Sequence, residues 1–339
     1  YKGKKFVIAI GSKPRKLRVL GIEKVEILNN ENIFDLENLP KKLLMIGGGP
    51  VSIELGQAMQ TFGSEVTILQ RGNSILNKED PKAARLLSRA LRRDGLKLFL
   101  NSEVEKFISA NTALARIGKK KKKISFDRVF VGIGREIDFS GLDLEKAGIE
   151  ARGNKIKADS YLRTTNKKVL LCGDVVGSYF FTHAAELEAS LIIRNFFSPL
   201  KRKVDYSDFA WVTFSYPQIA TFGLTERELK DKGQFFEILQ DDFSQADRAI
   251  VDDYPESFIK LFVDKRKKLL GGTIIAPNAG EIISEFLLMK KQGLPIEVLL
   301  DKIYPYPTAV RINKKLVSNY LSKKLDKKLN RKVLKFLFH

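Results

Sequence analysis

The stretch that opens at Lys42 constrains the fold more than any other. Leu43-Leu44-Met45-Ile46 is an apolar run, and Gly47-Gly48-Gly49-Pro50-Val51-Ser52-Ile53-Glu54 reads as a glycine turn opening a helix. Val66-Thr67-Ile68-Leu69 follows Gly63 as the next strand. Strand, glycine turn, helix and strand in this order present a helix N-terminus to a pyrophosphate. The first amides of a helix lack internal acceptors and lie at the positive end of its dipole. Gly47 permits the tight turn and Gly49 lets backbone approach a phosphate. Ser52 stands where the dinucleotide fingerprint has its third small residue. Pro50, Val51, Ser52 and Glu54 complete the first turns that would face the cofactor. Nucleotide binding is therefore the leading expectation, and an ordinary βαβ turn is the plainer one.

The end of the second strand selects the cofactor. An acidic residue there would bind the ribose 2′-hydroxyl of NAD. The chain has Gln70-Arg71 instead. Arg71 is suited to a 2′-phosphate, which favours NADP over NAD, against the plainer view of Arg71 as one more surface cation.

A length of 339 residues allows two or three domains, each with its own core. No apolar run approaches a membrane span. The chain starts at Tyr1, with no signal peptide, and a buried-type strand, Phe6-Val7-Ile8-Ala9-Ile10, follows at once. It is thus expected to be a piece of something longer. The single cysteine, Cys172, excludes an internal disulfide and a cysteine-rich zinc site, and two histidines leave little for metal binding. No metal site is expected, and a reducing, cytoplasmic location is the default. The formal charge of +20 comes from lysines spread through every segment, clustered at residues 119–123 and in the C-terminal tail. It reads as a solvated surface with a field that suits anionic cofactors. Without the aromatic spacing of an RNA-binding sheet, no nucleic-acid partner is expected.

Further along, Asp80-Pro81 should cap and begin a helix that reaches Asp94. A strand at residues 97–100, a hairpin through the lysine run 119–123 and the apolar strand Val129-Phe130-Val131 should follow. Residues 168–171 form another apolar strand ending in Cys172-Gly173-Asp174, and a helix should run from Thr182 to Phe197. From Phe209 the texture becomes that of alternating strands, then helices over 281–292 and 296–301, an α+β arrangement on one sheet.

At this point the chain resembles the class I pyridine nucleotide-disulfide oxidoreductases, in the branch of dihydrolipoamide dehydrogenase and mercuric reductase. Ile8-Ala9-Ile10-Gly11-Ser12-Lys13-Pro14 is similar to the family's first ATG segment, and Gly132-Ile133-Gly134-Arg135 to the second. Leu171-Cys172-Gly173-Asp174 with Thr182-His183-Ala184-Ala185 is similar to its second FAD motif. Tyr216-Pro217-Gln218-Ile219-Ala220 and Phe222-Gly223-Leu224-Thr225-Glu226 are similar to the opening of its dimerisation domain. Asp247-Arg248-Ala249 and Gly280-Glu281-Ile282-Ile283 fit as well, and Gln70-Arg71-Gly72 and Tyr306-Pro307-Thr308 lean toward mercuric reductase.

The resemblance implies a Rossmann-like NAD(P) domain at residues 35–135, inserted in a partial FAD domain of residues 1–34 and 136–204. An α+β dimerisation domain at 205–321 and a basic C-terminal helix at 322–339 would follow. It implies FAD held by Gly11, Asp174, Thr182, His183 and Ala184. NADP or NAD would be held by Gly47, Gly49, Pro50, Val51, Ser52, Glu54, Gln70, Arg71 and Gly134. The implied reaction passes hydride from NAD(P)H through FAD to a cysteine pair that this chain lacks, and then to a disulfide, metal or related substrate. A homodimer is implied, with Tyr306 at the partner's active site and a small-molecule or metal-thiolate substrate. Glu54 would lie near the nicotinamide. Cys172, alone at the end of an apolar strand, reads as an inert core thiol.

Two departures bear on the chemistry. Tyr306 and Arg311 replace the family's general-base histidine and its orienting glutamate, and a phenol is a poor base at neutral pH. Ile10 and Ile133 replace threonines at flavin-side turns. The alternative is thus a catalytically degenerate NAD(P)-binding and dimerisation protein. The tail also carries Leu325, Leu329, Val333 and Leu337 at helical spacing over a basic face. Membrane contact through that helix or a fused domain stays open beside docking on its own dimer.

Overall fold

The computed structural model describes residues 2–243, 246–254 and 257–325. The chain forms two compact units. One holds the residues up to Arg18 with Gly132–Tyr206, and the other holds Val19–Val131 with the residues from Ser207 on.

In the first unit, strand Phe6–Ile8 pairs in parallel with Val169–Leu171. Lys13–Pro14 pairs antiparallel with Arg135–Glu136. The core gathers Ile137, Leu144, Ile149, Ile156, Val169, Leu171 and Val175. A buried strand was expected at residues 6–10, and the structure corrects it. Phe6, Val7 and Ile10 are 47%, 44% and 42% exposed, because Val169–Leu171 is the strand's one ladder partner among the described residues.

The second unit stacks two sheets. A five-stranded parallel sheet runs in the order Ile27–Leu28, Arg128–Val131, Lys42–Ile46, Glu65–Leu69, Lys97–Phe99. Its strands read as near-continuous apolar runs because both faces are covered. Leu44, Met45, Val66 and Ile68 are fully buried. Helices α1 (Pro50–Thr61) and α2 (Pro81–Arg93) follow the second and third strands in chain order. Asp80 caps α2 as expected, accepting from the amides of Lys82 (2.7 Å) and Ala83 (3.4 Å). A three-stranded antiparallel sheet of Ser102–Ser109, Thr112–Ile117 and Lys120–Ser125 hangs from the parallel sheet. The hairpin expected through residues 119–123 is thus present, with Lys119 in the turn and the other four lysines in its last strand. Gly118, at φ 57°, supplies the left-handed turn residue.

The antiparallel sheet runs in the order Ala210–Thr213, Gln218–Gly223, Leu269–Ala276, Phe258–Val263, Glu237–Asp242. The helix expected over residues 281–292 is broken at Ile283 into Ala279–Ile282 and Ser284–Gln292. A last helix covers Ile312–Leu325, and the rest of the expected basic tail, from residue 326, lies outside the described residues. Among the described residues no helix is long and apolar enough to cross a membrane.

The two sheets share one core. Ile219, Phe258 and Ile275 of the antiparallel sheet pack in the same cluster as Met45, Ile53, Ile68 and Leu87. Polar bonds fix their register. Gln57 on α1 donates to the Tyr216 carbonyl (2.8 Å) and accepts from its amide (2.7 Å). Glu79, 8% exposed, accepts from the Trp211 indole (2.6 Å) and the Thr221 hydroxyl (2.6 Å). Lys260 bridges Asp80 (3.0 Å) and Glu226.

Burial raises the Glu79 carboxyl above its ordinary 4.5, against the bonds from Thr221 and Trp211. The folded state therefore holds its proton to higher pH than the unfolded chain does. This residue's contribution to stability falls as pH rises from about 4.5 through the raised folded value. Glu79→Gln keeps an acceptor for Trp211 and should flatten that part of the slope of melting temperature against pH. Glu79→Leu leaves two donors orphaned and should cost about 1–3 kcal/mol at neutral pH. Equal pH slopes for wild type and Glu79→Gln in a thermal-melt series would refute the assignment.

Candidate functional site

The glycine turn lies at the C-terminal end of strand Lys42–Ile46, where parallel α/β sheets bind ligands. Gly47 takes φ 108°, and its amide donates to the Leu69 carbonyl at 2.9 Å. Gly48 donates to the side-chain oxygen of Gln70 at 3.0 Å, and the Gln70 amide group donates to the Ser74 carbonyl at 2.9 Å. A Cβ on Gly48 would meet Gln70 and Ile75 side-chain carbons at 3.1 Å, so a side chain there would have to displace them by a few tenths of an ångström. Gly49 is the extended N-cap of α1, and no side chain caps the helix. Pro50 takes the first helical position, where a missing N–H costs nothing. The α1 amides are thus left for a ligand, and Pro50 and Val51 are exposed beside them. Ser52 is fully buried, and its hydroxyl finds no hydrogen-bond partner among the described residues.

The fold brings Gly47, Gly49, Pro50, Val51, Ser52 and Gln70 together around one turn. Gln70, expected as a cofactor contact, spends its amide on the turn itself. Arg71 follows it, exposed and without an ion pair among the described residues. Glu54 is half-buried one turn into α1 and accepts from the Phe214 amide at 2.7 Å. Burial raises its pKa, against that bond. Gly134 belongs to the other unit, where its carbonyl accepts from Arg15 at 3.0 Å.

In the first unit, Asp174 sits in a short turn, Gly173–Val176, behind the left-handed Gly173. It accepts from the Ser12 hydroxyl, which in turn accepts from Arg135 Nε at 2.6 Å. Arg135 also donates to the Ser12 carbonyl at 2.5 Å and stands 3.6 Å from the Asp174 carboxylate. Gly11, at φ 66°, has open space where a Cβ would lie. Thr182, His183 and Ala184 open α3 (Thr182–Phe197), a 16-residue helix whose N-cap Phe181 offers no side-chain acceptor. Behind this turn the fully buried Glu188 accepts from the Gly173 amide at 2.6 Å and from the Tyr206 hydroxyl. Burial raises its pKa, and burial with Glu188 raises that of Tyr206. Burial, then Glu188, also push up the Cys172 thiol, in keeping with an inert role. Ser12 and Arg135 stand within motifs read from the sequence, but nothing in the spacing showed that they meet at Asp174. Glu188 and Tyr206 carried no signal at all.

Tyr306 is 68% exposed, and the Arg311 guanidinium lies over its ring, 5.1 Å from the centroid. A cavity of 470 Å³ opens nearby, lined by Arg248, Lys302, Tyr304, Thr308, Arg311 and Lys315 among others. It is separate from the glycine turn.

The family description "Pyridine nucleotide-disulphide oxidoreductase" matches residues 1–189, and that family's dimerisation domain matches residues 209–316. The chain belongs to the pyridine nucleotide-disulphide oxidoreductases. Mercuric reductase of Lysinibacillus sphaericus is 32% identical over 310 residues, covering 90% of this chain and 57% of that protein. Dihydrolipoyl dehydrogenase 2 of Arabidopsis thaliana is 31% identical over 314 residues, covering 91% and 62%. The chain thus spans 57–62% of the length of these curated relatives. Among solved structures, the HOCl-induced flavoprotein disulfide reductase RclA from Escherichia coli superposes with a TM-score of 0.85 at 25% identity, over 94% of this chain and 74% of that one. Members of the family use FAD and NAD(P)H. Both sets of residues fit those groups: an uncapped helix N-terminus behind a glycine turn in one unit, and an anchored Asp174 beside an open Gly11 and an uncapped α3 in the other.

Gln70 closes the turn, so its amide should matter even without touching ligand. Gln70→Ala is expected to raise the Kd for NADPH about tenfold and to lower stability by about 1 kcal/mol. Titration of the purified variant checks this, and an unchanged Kd would show that the turn holds its shape without Gln70.

Proposed function

We propose that this chain carries the nucleotide site, flavin-side residues and dimerisation surface of an FAD-dependent NAD(P)H oxidoreductase of the mercuric-reductase-like branch. The observation that carries the reading is the closed glycine turn, with Gln70 bonded to Gly48 and the α1 amides left uncapped. Gly47, Gly49, Pro50, Val51 and Ser52 would hold the pyrophosphate of the pyridine nucleotide, with Arg71 favouring NADP over NAD. Gly11, Asp174, Thr182, His183 and Ala184 would hold FAD. When bound, these cofactors supply hydride transfer from nicotinamide to flavin and reduction onward to a disulfide, metal or related substrate.

The residues of the chain have defined tasks on this reading. Ser12 and Arg135 hold the Asp174 carboxylate in place, the Ser12 hydroxyl by donating to it and the Arg135 guanidinium from 3.6 Å. The dipole of α3 favours negative charge at Thr182. Glu54, half-buried and held by the Phe214 amide, has its pKa raised by burial, against that bond, and would lie near the nicotinamide. Tyr306, exposed and stacked under Arg311, would face substrate at the partner's site in a homodimer. Residue 306 is a substrate ligand on this reading and not a base.

The test is anaerobic titration of the full-length gene product with NADPH and with NADH, followed by flavin absorbance. Bound flavin that bleaches with either nucleotide, more readily with NADPH, is the expected result. A protein that binds nucleotide but carries no flavin would instead support the degenerate NAD(P)-binding alternative.

A further inference from the structure

The lysine strand Lys120–Ser125 is the edge of the three-stranded sheet, and exposed lysines commonly guard such an edge. Its register separates the lysines into two groups. Lys121 pairs with Arg116 and Lys123 with Leu114, while Lys122 pairs with Ala115 and Ile124 with Ala113. Directly opposed residues of an antiparallel pair share a face. Lys122 therefore lies on the face of the buried Ala113, Ala115 and Ile124, and Lys121 on the other, where it is bonded to Glu105 at 2.8 Å. Lys122 reaches across to the parallel sheet, with its ammonium 5.7 Å from the centroid of the Phe99 ring. No carboxylate pairs with it among the described residues, and Glu103 is engaged with Arg116 at 2.6 Å.

Phe99 ends the strand beside the cofactor-selecting segment. Its carbonyl accepts from the Gln70 amide at 2.9 Å. Asn101 donates to Gly72, and Ser102 to Gln70, each at 2.9 Å. Arg71 is thus stitched between residues bonded to 99–102, at the C-terminal ends of two parallel strands, with Lys122 over that same end. Arg71 and Lys122, neither with an acidic partner among the described residues, are thus both tied to the 99–102 end of the parallel sheet, where the ribose end of a dinucleotide lies in this fold. Gln70 is committed to the turn and leaves the 2′ position to them.

We propose that Lys122 is a second determinant of NADP specificity, pairing with the 2′-phosphate alongside Arg71. The inference rests on the NADP reading of Arg71 given above. A solvent-accessible ammonium–phosphate contact changes affinity by about three- to tenfold and leaves a ligand without that phosphate untouched.

Binding of NADPH and NADH to the purified protein is measured by calorimetry for wild type, Arg71→Ala, Lys122→Ala, Lys122→Gln and Lys121→Ala. Lys122→Ala and Lys122→Gln should each weaken NADPH by about three- to tenfold and change NADH by less than about twofold. Lys121→Ala removes the same charge from the opposite face and should leave the ratio of the two affinities unchanged. The proposal is overturned if the Lys122 variants keep the wild-type ratio, or if Lys121→Ala lowers NADPH affinity equally, which would make the effect one of net charge. NADH affinity reports whether each variant keeps its nucleotide site, and the glutamine variant decides where alanine fails to fold. If wild type binds NADPH no more tightly than NADH and Arg71→Ala changes neither, the NADP reading itself fails, and this inference with it.

Discussion

Everything in the larger unit depends on where α1 is held. Its uncapped N-terminus can serve the proposed nucleotide site only if it stays aligned with the end of strand Lys42–Ile46, and a helix packed on one sheet alone can slide or tilt. Gln57 prevents this by exchanging two hydrogen bonds with the Tyr216 backbone, and Glu54 adds a third from Phe214. These bonds sit beside a hydrophobic cluster shared by both sheets, so apolar contact supplies the adhesion and the amides supply the register. The antiparallel sheet is therefore a buttress for the glycine turn.

The same seam contains buried charge. Glu79 accepts two hydrogen bonds and remains neutral to higher pH than an exposed glutamate, while Lys260 is balanced by Asp80 and Glu226. Buried ionic groups of this kind contribute less to net stability than apolar packing would. They do penalise any sliding of one sheet over the other, because a shift would strand a polar atom in a dry interior. In the smaller unit, Glu188 plays the corresponding part. It fixes the Gly173 amide from behind, while Ser12 and Arg135 hold the carboxylate of Asp174 from the front.

The glycine fingerprint, the cap at Asp80 and the α3 span were legible because each depends on local rules: φ freedom, side-chain capping and apolar periodicity. Strand Phe6–Ile8 was misjudged for burial since composition reports what a strand prefers to touch, not how many neighbours it has. Gln70 was assigned to the cofactor because of its position, and only the fold showed its amide turned back onto Gly48 and Ser74. The hairpin through the lysine run was legible, but charge alone did not show which of its lysines turn toward the parallel sheet.

The sequence by itself determined the family, the order of its domains' motifs and the chemistry available at each, because those reside in residue identity and short spacing. Tertiary structure alone decided which polar groups meet across long separations: Gln57 with Tyr216, Glu79 with Trp211, and Ser12 and Arg135 with Asp174. The physical reason is that a hydrogen bond or ion pair is specific over about 3 Å, whereas a pattern of residue types fixes only which face of an element is turned inward. Which partner stands at that face depends on how the sheets pack, and packing is a property of the whole chain.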